Sequence, residues 1–360
     1  MIKWVRRIRT SLVGFGLALL LTISLLFQGQ ASGSGSDVSY AYVPNIADGT
    51  ISAVNLNTNE VAWTLPVSRG ADLRNPESAM GIAASPDGRW VYTGDAVAKE
   101  LVVVDAQTRE IVKRIALTHG VHAIDLSPDG QWLWISGGLD NFTWLTATSV
   151  IDTKSLTVQK TLSPAMGSGS HWAFTPDGKE IWAASVSTNL VWVTDTFSGQ
   201  VLAAVPLSQG ALEGVSPEAG KGLIGFNEVA ISPEGTTAYA VGPEASIVYA
   251  IDVVSRQVIG TVQAGARAHG IAVSRDGREV WTADRGGTVT IIDADVLMVI
   301  GTLDMGEYAN HVAFGLDGWY AYVTRTKDVA VIDTRSRRIV KTIPLGNGPH
   351  EISLEDGYAR

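Results

Sequence analysis

The 360-residue sequence has no cysteine. That absence removes disulfide staples, iron–sulfur clusters, covalently attached c-type haem, lipoprotein anchoring and thiolate copper or zinc sites together. Charge is sparse as well, at 18% Asp, Glu, Lys and Arg, while 46% of the residues are hydrophobic. A chain of this length and composition stabilises itself by apolar packing. No Gly-x-Ser-x-Gly elbow, His-Glu-x-x-His helix or phosphate-cradling glycine loop occurs, which argues against the common hydrolases and nucleotide enzymes. Basic stripes with interleaved aromatics are missing too. Setting aside Lys3, Arg6, Arg7 and Arg9, 27 less 4 leaves 23 Lys and Arg against 36 Asp and Glu, a net of −13. Such a surface repels phosphate backbones, so nucleic acid is not expected as a partner.

Those four basic residues open a distinct N-terminal segment, residues 1–31, in which an uncharged run over 11–27 ends near Gly29-Gln30-Ala31. Basic start, apolar middle and small residues at the end describe a signal peptide cut after Ala31, or a short N-terminal anchor if it is retained. The protein is therefore expected to be exported to the periplasm, the cell surface or the medium, meeting a membrane only through an uncleaved segment. Residues 32–37 form a Gly/Ser linker. Everything from 38 to 360 belongs to one domain.

A single unit recurs along that domain. Its closing glycines are Gly88, Gly130, Gly178, Gly235, Gly277, Gly318 and Gly357, at spacings of 42, 48, 57, 42, 41 and 39 residues. A period near forty containing several strand-like runs predicts a propeller whose blades are four-stranded sheets. Each copy keeps an aromatic in its second run (Tyr42, Tyr92, Trp134, Trp182, Tyr239, Trp281, Tyr322), placed to fill the space between blades. The third run ends in Asn55, Asp105, Asp152, Asp195, Asp252, Asp293 or Asp333, and six of the seven have Ser or Thr three residues later. That pattern is turn chemistry rather than a ring of metal ligands. The ends are out of phase: residues 40–67 supply runs two to four, and residues 350–354 supply run one. The expected fold is all-β, a seven-bladed β-propeller with four antiparallel strands per blade, closed by strands from both termini.

Departures from the repeat point to a site. Extra residues enter at 68–79, at 137–147 and at 208–226, all on the face that carries the connections between strands two and three and between blades; one-sided insertions mark a binding face. Five of the six histidines, His122, His171, His269, His311 and His350, sit at the entrance to the innermost strand on that face. Asn227 and Glu228 occupy the equivalent slots of another copy. Two readings stand side by side. Imidazoles near the axis form a site for a metal (His122, His269 and His311 foremost), a metallated macrocycle or an anion; or polar side chains simply bond carbonyls exposed in a narrow wet channel. Asp95, Asp284 and Arg325, at second-strand ends, together with Arg267 and Arg285, are further candidates for a mixed-charge mouth. Phe142 and Trp144 lie in the second insertion, where they either cover the mouth or pack the loop down.

The runs Ser85-Pro-Asp-Gly88, Tyr322-Val-Thr-Arg325 and Val331-Ile-Asp-Thr334 resemble the repeat of the YVTN-type, YncE-like β-propellers over about residues 38–358. Propellers related to that group include the haem d1 domain of cytochrome cd1, nitrous oxide reductase and lactonases of the 6-phosphogluconolactonase type. The resemblance implies export and a central site. It admits a d1-like macrocycle or a metal on His122, His269 or His311, and a lactonase arrangement of Arg267, His269 and Glu228. Binding of a small ligand, a cofactor or another extracytoplasmic protein is the expected role; an enzyme using the same mouth is the alternative.

Overall fold

The strands of one repeat differ in kind. Second and third strands such as Trp90–Asp95 and Glu100–Asp105 are buried after their first residue, as runs packed between two neighbouring sheets must be. Fourth strands such as Glu110–Ala116 have mostly accessible positions and so belong at the rim. The computed structural model describes residues 39–69, 79–138, 146–162, 169–185, 189–207, 228–242 and 246–355. Within them the strands form seven four-stranded antiparallel sheets, a seven-bladed β-propeller. The leader and linker, most of the three insertions with Phe142 and Trp144, and Asn227 lie outside the described residues.

Blades 1 to 6 are numbered by their repeat glycines, Gly88 to Gly318, and each is built in chain order from the inside outwards. Blade 5, for example, runs Ala268–Val273, Glu279–Asp284, Thr288–Asp293 and Met298–Asp304. Blade 7 is shared by the ends of the chain. Its inner strand Ser353–Leu354 pairs with Tyr40–Asn45, Leu354 opposite Ala41 and Ser353 opposite Tyr42. Glu355 fastens the joint, accepting hydrogen bonds from the Tyr42 hydroxyl at 2.6 Å and the Tyr40 amide at 3.1 Å. Burial raises the pKa of this carboxyl.

Packing lies between blades. Seven apolar clusters occur among the described residues, one at each blade–blade interface. All seven repeat aromatics are at most 3% exposed within them. The Asx positions do turn work: each of the seven accepts the backbone amide three residues on, from Asn55–Thr58 at 3.1 Å to Asp333–Ser336 at 2.7 Å.

Replacing Glu355 by alanine leaves the buried Tyr42 hydroxyl and Tyr40 amide without their acceptor. Urea unfolding should show a loss of about 1–3 kcal/mol. Glu60→Ala, which removes an exposed carboxylate 3.5 Å from Lys341, should stay within about 0.5 kcal/mol of the parent.

Candidate functional site

Seven inner strands share one axis, and their entrances are crowded. A Cβ on Gly270 would fall 2.6 Å from the Asn310 carbonyl oxygen and 2.7 Å from His311 Cα. Into this space five blades each send one histidine. The ring of His311 is centred 4.9 Å from those of His171 and His269 and 4.8 Å from that of His350. His122 joins through His171, at 5.0 Å. His171, His269, His311 and His350 are buried, and His122 is half-buried. The Thr324 hydroxyl ties two of them, accepting from the His311 amide at 3.0 Å and donating to the His350 carbonyl at 2.6 Å.

Two buried carboxylates hold the rings. Glu228 Oε2 lies 3.2 Å from His311 Nδ1, and Glu351 Oε1 lies 3.0 Å from His171 Nδ1. The two glutamates are equivalent. Each accepts the inner-strand amide of the next blade at 3.0 Å, Ile271 for Glu228 and Ile82 for Glu351. Glu351 was not among the candidates read from the sequence. Its signal was the pair His350-Glu351, which repeats Asn227-Glu228 and assigns His350 to the slot of His122 and His269. A carboxylate beside Nδ1 favours the proton on that nitrogen and leaves Nε2 as the lone pair, although neither contact has hydrogen-bond geometry. Among the described residues, the buried Nε2 of His171 has no hydrogen-bond partner, nor has Nδ1 of His350.

A cation closes one side. Arg285 donates to His269 Nε2 at 2.6 Å and to Asn310 Oδ1 at 2.9 and 3.1 Å, with its guanidinium over the Tyr308 ring at 5.3 Å. Burial, then the charge of Arg285, then the neighbouring histidines, hold His269 well below the ordinary value of 6.5. Burial above all takes His350 down to about 3, against an opposing pull from Glu351. Both rings are neutral near pH 7, the form in which imidazole is a ligand.

Other candidates are occupied elsewhere. Asp284 accepts three threonine hydroxyls, Thr282, Thr288 and Thr290, each at 2.7 Å, and burial raises its pKa. Asp95 accepts the Arg69 and Ala98 amides at 2.9 and 3.0 Å. Arg325 clamps Asp328 through two bonds of 2.6 and 3.0 Å and donates to the Met305 carbonyl at 2.8 Å. Each of these three braces its own blade corner. Arg267 is exposed, in a turn with φ of 58°. His119 is buried apart from the other five, with Nδ1 2.6 Å from the Gly120 carbonyl and Nε2 2.8 Å from Ser149 Oγ on the third strand of blade 2.

One nitrogen each from His269, His311 and His350 lie within 4.8 Å of one another. Two metal–nitrogen bonds placed end to end span about 4 Å, so small ring rotations suffice to close the set on an ion. A flat macrocycle does not fit among the rings. Groups stacked on its two faces stand about 7 Å apart at ordinary contact distance, whereas His311 is within 4.9 Å of three other rings.

Fold and cluster define a seven-bladed β-propeller with a polyhistidine centre on its axis. No protein-family model and no curated protein matches the sequence. Among solved structures, the chain is similar to a hydrazine synthase structure from Kuenenia stuttgartiensis, at 17% identity and a TM-score of 0.67, covering 85% of this chain and 98% of that one. It is also similar to the dihydro-heme d1 dehydrogenase NirN in complex with DHE, at 16% identity and a TM-score of 0.63, covering 90% and 77%. At these identities the likeness shows the fold.

The depressed pKa values set a pH dependence. Below 6.5 the unfolded chain takes up protons on these histidines that the folded protein refuses, so their contribution to stability is complete above 6.5 and is lost as the pH falls towards 3. The melting temperature should fall over that range, and His350→Gln should make the fall shallower.

Proposed function

We propose that this propeller is a metal-binding protein whose axial histidines hold one transition-metal ion. The observation that carries the reading is the convergence of four buried imidazoles from four blades around His311, with half-buried His122 joined through His171. Support comes from Glu228 and Glu351, placed as the carboxylates that orient metal-bound histidines. An all-nitrogen donor set suits copper, zinc, nickel or iron and disfavours calcium or magnesium. His311 and His350 are the core ligands. His171 offers its inward Nε2, and His269 joins through whichever ring nitrogen Arg285 leaves to it.

In this reading the protein is exported, as the basic, apolar and small-residue pattern of residues 1–31 suggests, and its repeat is of the YVTN type. Export suits a site that takes its metal outside the cytoplasm. A small ligand would approach along the channel from the insertion-bearing face.

Elemental analysis of protein purified from its native compartment should find about one ion per chain, lost in His311→Ala. Glu351→Gln should weaken binding by about 10- to 100-fold, while Asp284→Asn should leave stoichiometry unchanged. Protein that is metal-free as isolated and binds neither Cu(II) nor Zn(II) when titrated would overturn the reading. An intense visible spectrum with no free-ion stoichiometry would replace the ion by a macrocycle seated at the mouth.

A further inference from the structure

The turn between third and fourth strands carries one residue of positive φ in every blade: Arg109, Leu156, Gly199, Arg256, Leu297, Arg337 and Asn59 in blades 1 to 7. Its side chain reaches back to the preceding blade. Arg256 pairs with Glu180 at 2.7 Å, Arg337 with Glu279 at 2.8 Å, and Asn59 accepts from the Tyr322 hydroxyl at 3.0 Å. Leu156 packs with Trp90 in one apolar cluster, and a Cβ on Gly260 would fall 2.2 Å from Leu297 Cδ1. The position is an inter-blade wedge. Blade 3 has Gly199 there, and Leu162 and Lys160 of blade 2 stand 3.0 and 3.4 Å from where its Cβ would be.

The interface it faces has the smallest apolar cluster among the described residues. Between blades 2 and 3 the apolar cluster has six buried residues among those described, against ten to thirteen at the other six interfaces, and three of the six are aromatic: Trp134, Trp172 and Phe174 join Val150, Ile181 and Ala183. A cavity of about 610 Å³ opens there, walled by Trp132, Trp134, Phe174, Pro128 and Pro176. That volume is in the range of small-molecule sites. Lys160 is its cation. The ammonium donates to the Phe197 and Thr196 carbonyls at 2.9 and 3.3 Å and lies 5.6 Å from the centre of the Trp134 ring. Of its three hydrogens, two are thereby used.

The acidic groups nearby are already engaged. Asp177 is paired with Lys179 at 2.8 Å, Asp129 holds its own turn through Ser127 and Gln131, and Asp195 caps Ser198. We propose that this wedge between blades 2 and 3 is a second binding site, remote from the histidines in its chemistry, that takes a small aromatic carboxylate. The ring lies against Trp132, Trp134 and Phe174, where offset or edge-on aromatic contacts are favourable. The carboxylate meets the remaining N–H of Lys160 in a charge-assisted hydrogen bond.

The test is calorimetric titration with 2-naphthoate and with the uncharged naphthalene-2-carboxamide. The parent protein should bind the acid saturably and about tenfold more tightly than the amide. Lys160→Gln should remove that preference. Gly199→Leu places there the side chain that Leu156 and Leu297 carry elsewhere, pressing on Leu162 and Lys160; it should abolish binding of both probes. Trp132→Ala, which leaves the turn intact, should weaken both probes alike and serves if the leucine variant does not fold. Absence of saturable binding by the parent, or binding unchanged in Gly199→Leu or Trp132→Ala, would overturn the proposal.

Discussion

The structure depends on how closely seven inner strands approach one axis. At Gly270 the next blade's backbone stands where a methyl group would be, so side chains at neighbouring entrances have to share space. Imidazole suits this position because it is flat, packs edge to face and keeps a nitrogen for its neighbour. Crowding also sets the electrostatics. Desolvation and the presence of other rings make a charged histidine costly, so His269 and His350 stay neutral. The carboxylates of Glu228 and Glu351 are tolerated because each also accepts an inner-strand amide of the adjoining blade. One pair of residues thus stitches blades together and orients rings.

Much of the fold was legible because its causes are local and repeated. An aromatic at one place and an Asx turn at another each recur seven times, and each has the structural role its chemistry suggests. The site was legible only in part. Spacing placed five histidines at inner-strand entrances, but their convergence depends on the radius of the closed ring and on rotamers, which no repeat period encodes. Variety at Asp95, Asp284 and Arg325 has a local explanation. A blade corner needs only to satisfy its own polar groups, and three threonine hydroxyls, two backbone amides or an aspartate can each do so. Glu351 escaped notice because the final copy is shortened by one residue and its register with the others was ambiguous.

Repetition also makes exceptions informative. Where every blade offers the same frame, a missing side chain has a measurable counterpart in six others. Gly199 stands out against Arg256, Leu297 and Arg337 in this way. The same comparison separates His119, bonded to a carbonyl and a serine, from the five histidines that touch one another.

The pairing of Ala41 with Leu354 has a consequence for how the molecule comes into being. Blades otherwise form from contiguous chain, and their hairpins can assemble as soon as they are made. Blade 7 cannot. Its second strand must wait for residues more than three hundred positions later, and that contact carries the largest loop-closure entropy in the domain. Until the ring closes, blade 6 and the N-terminal strands of blade 7 present unpartnered faces to each other, and His350 and Glu351 are absent from the axis. The polyhistidine centre is therefore among the last features to form, and a chain cut before His350 would lose the ring closure and part of the ligand set in the same event.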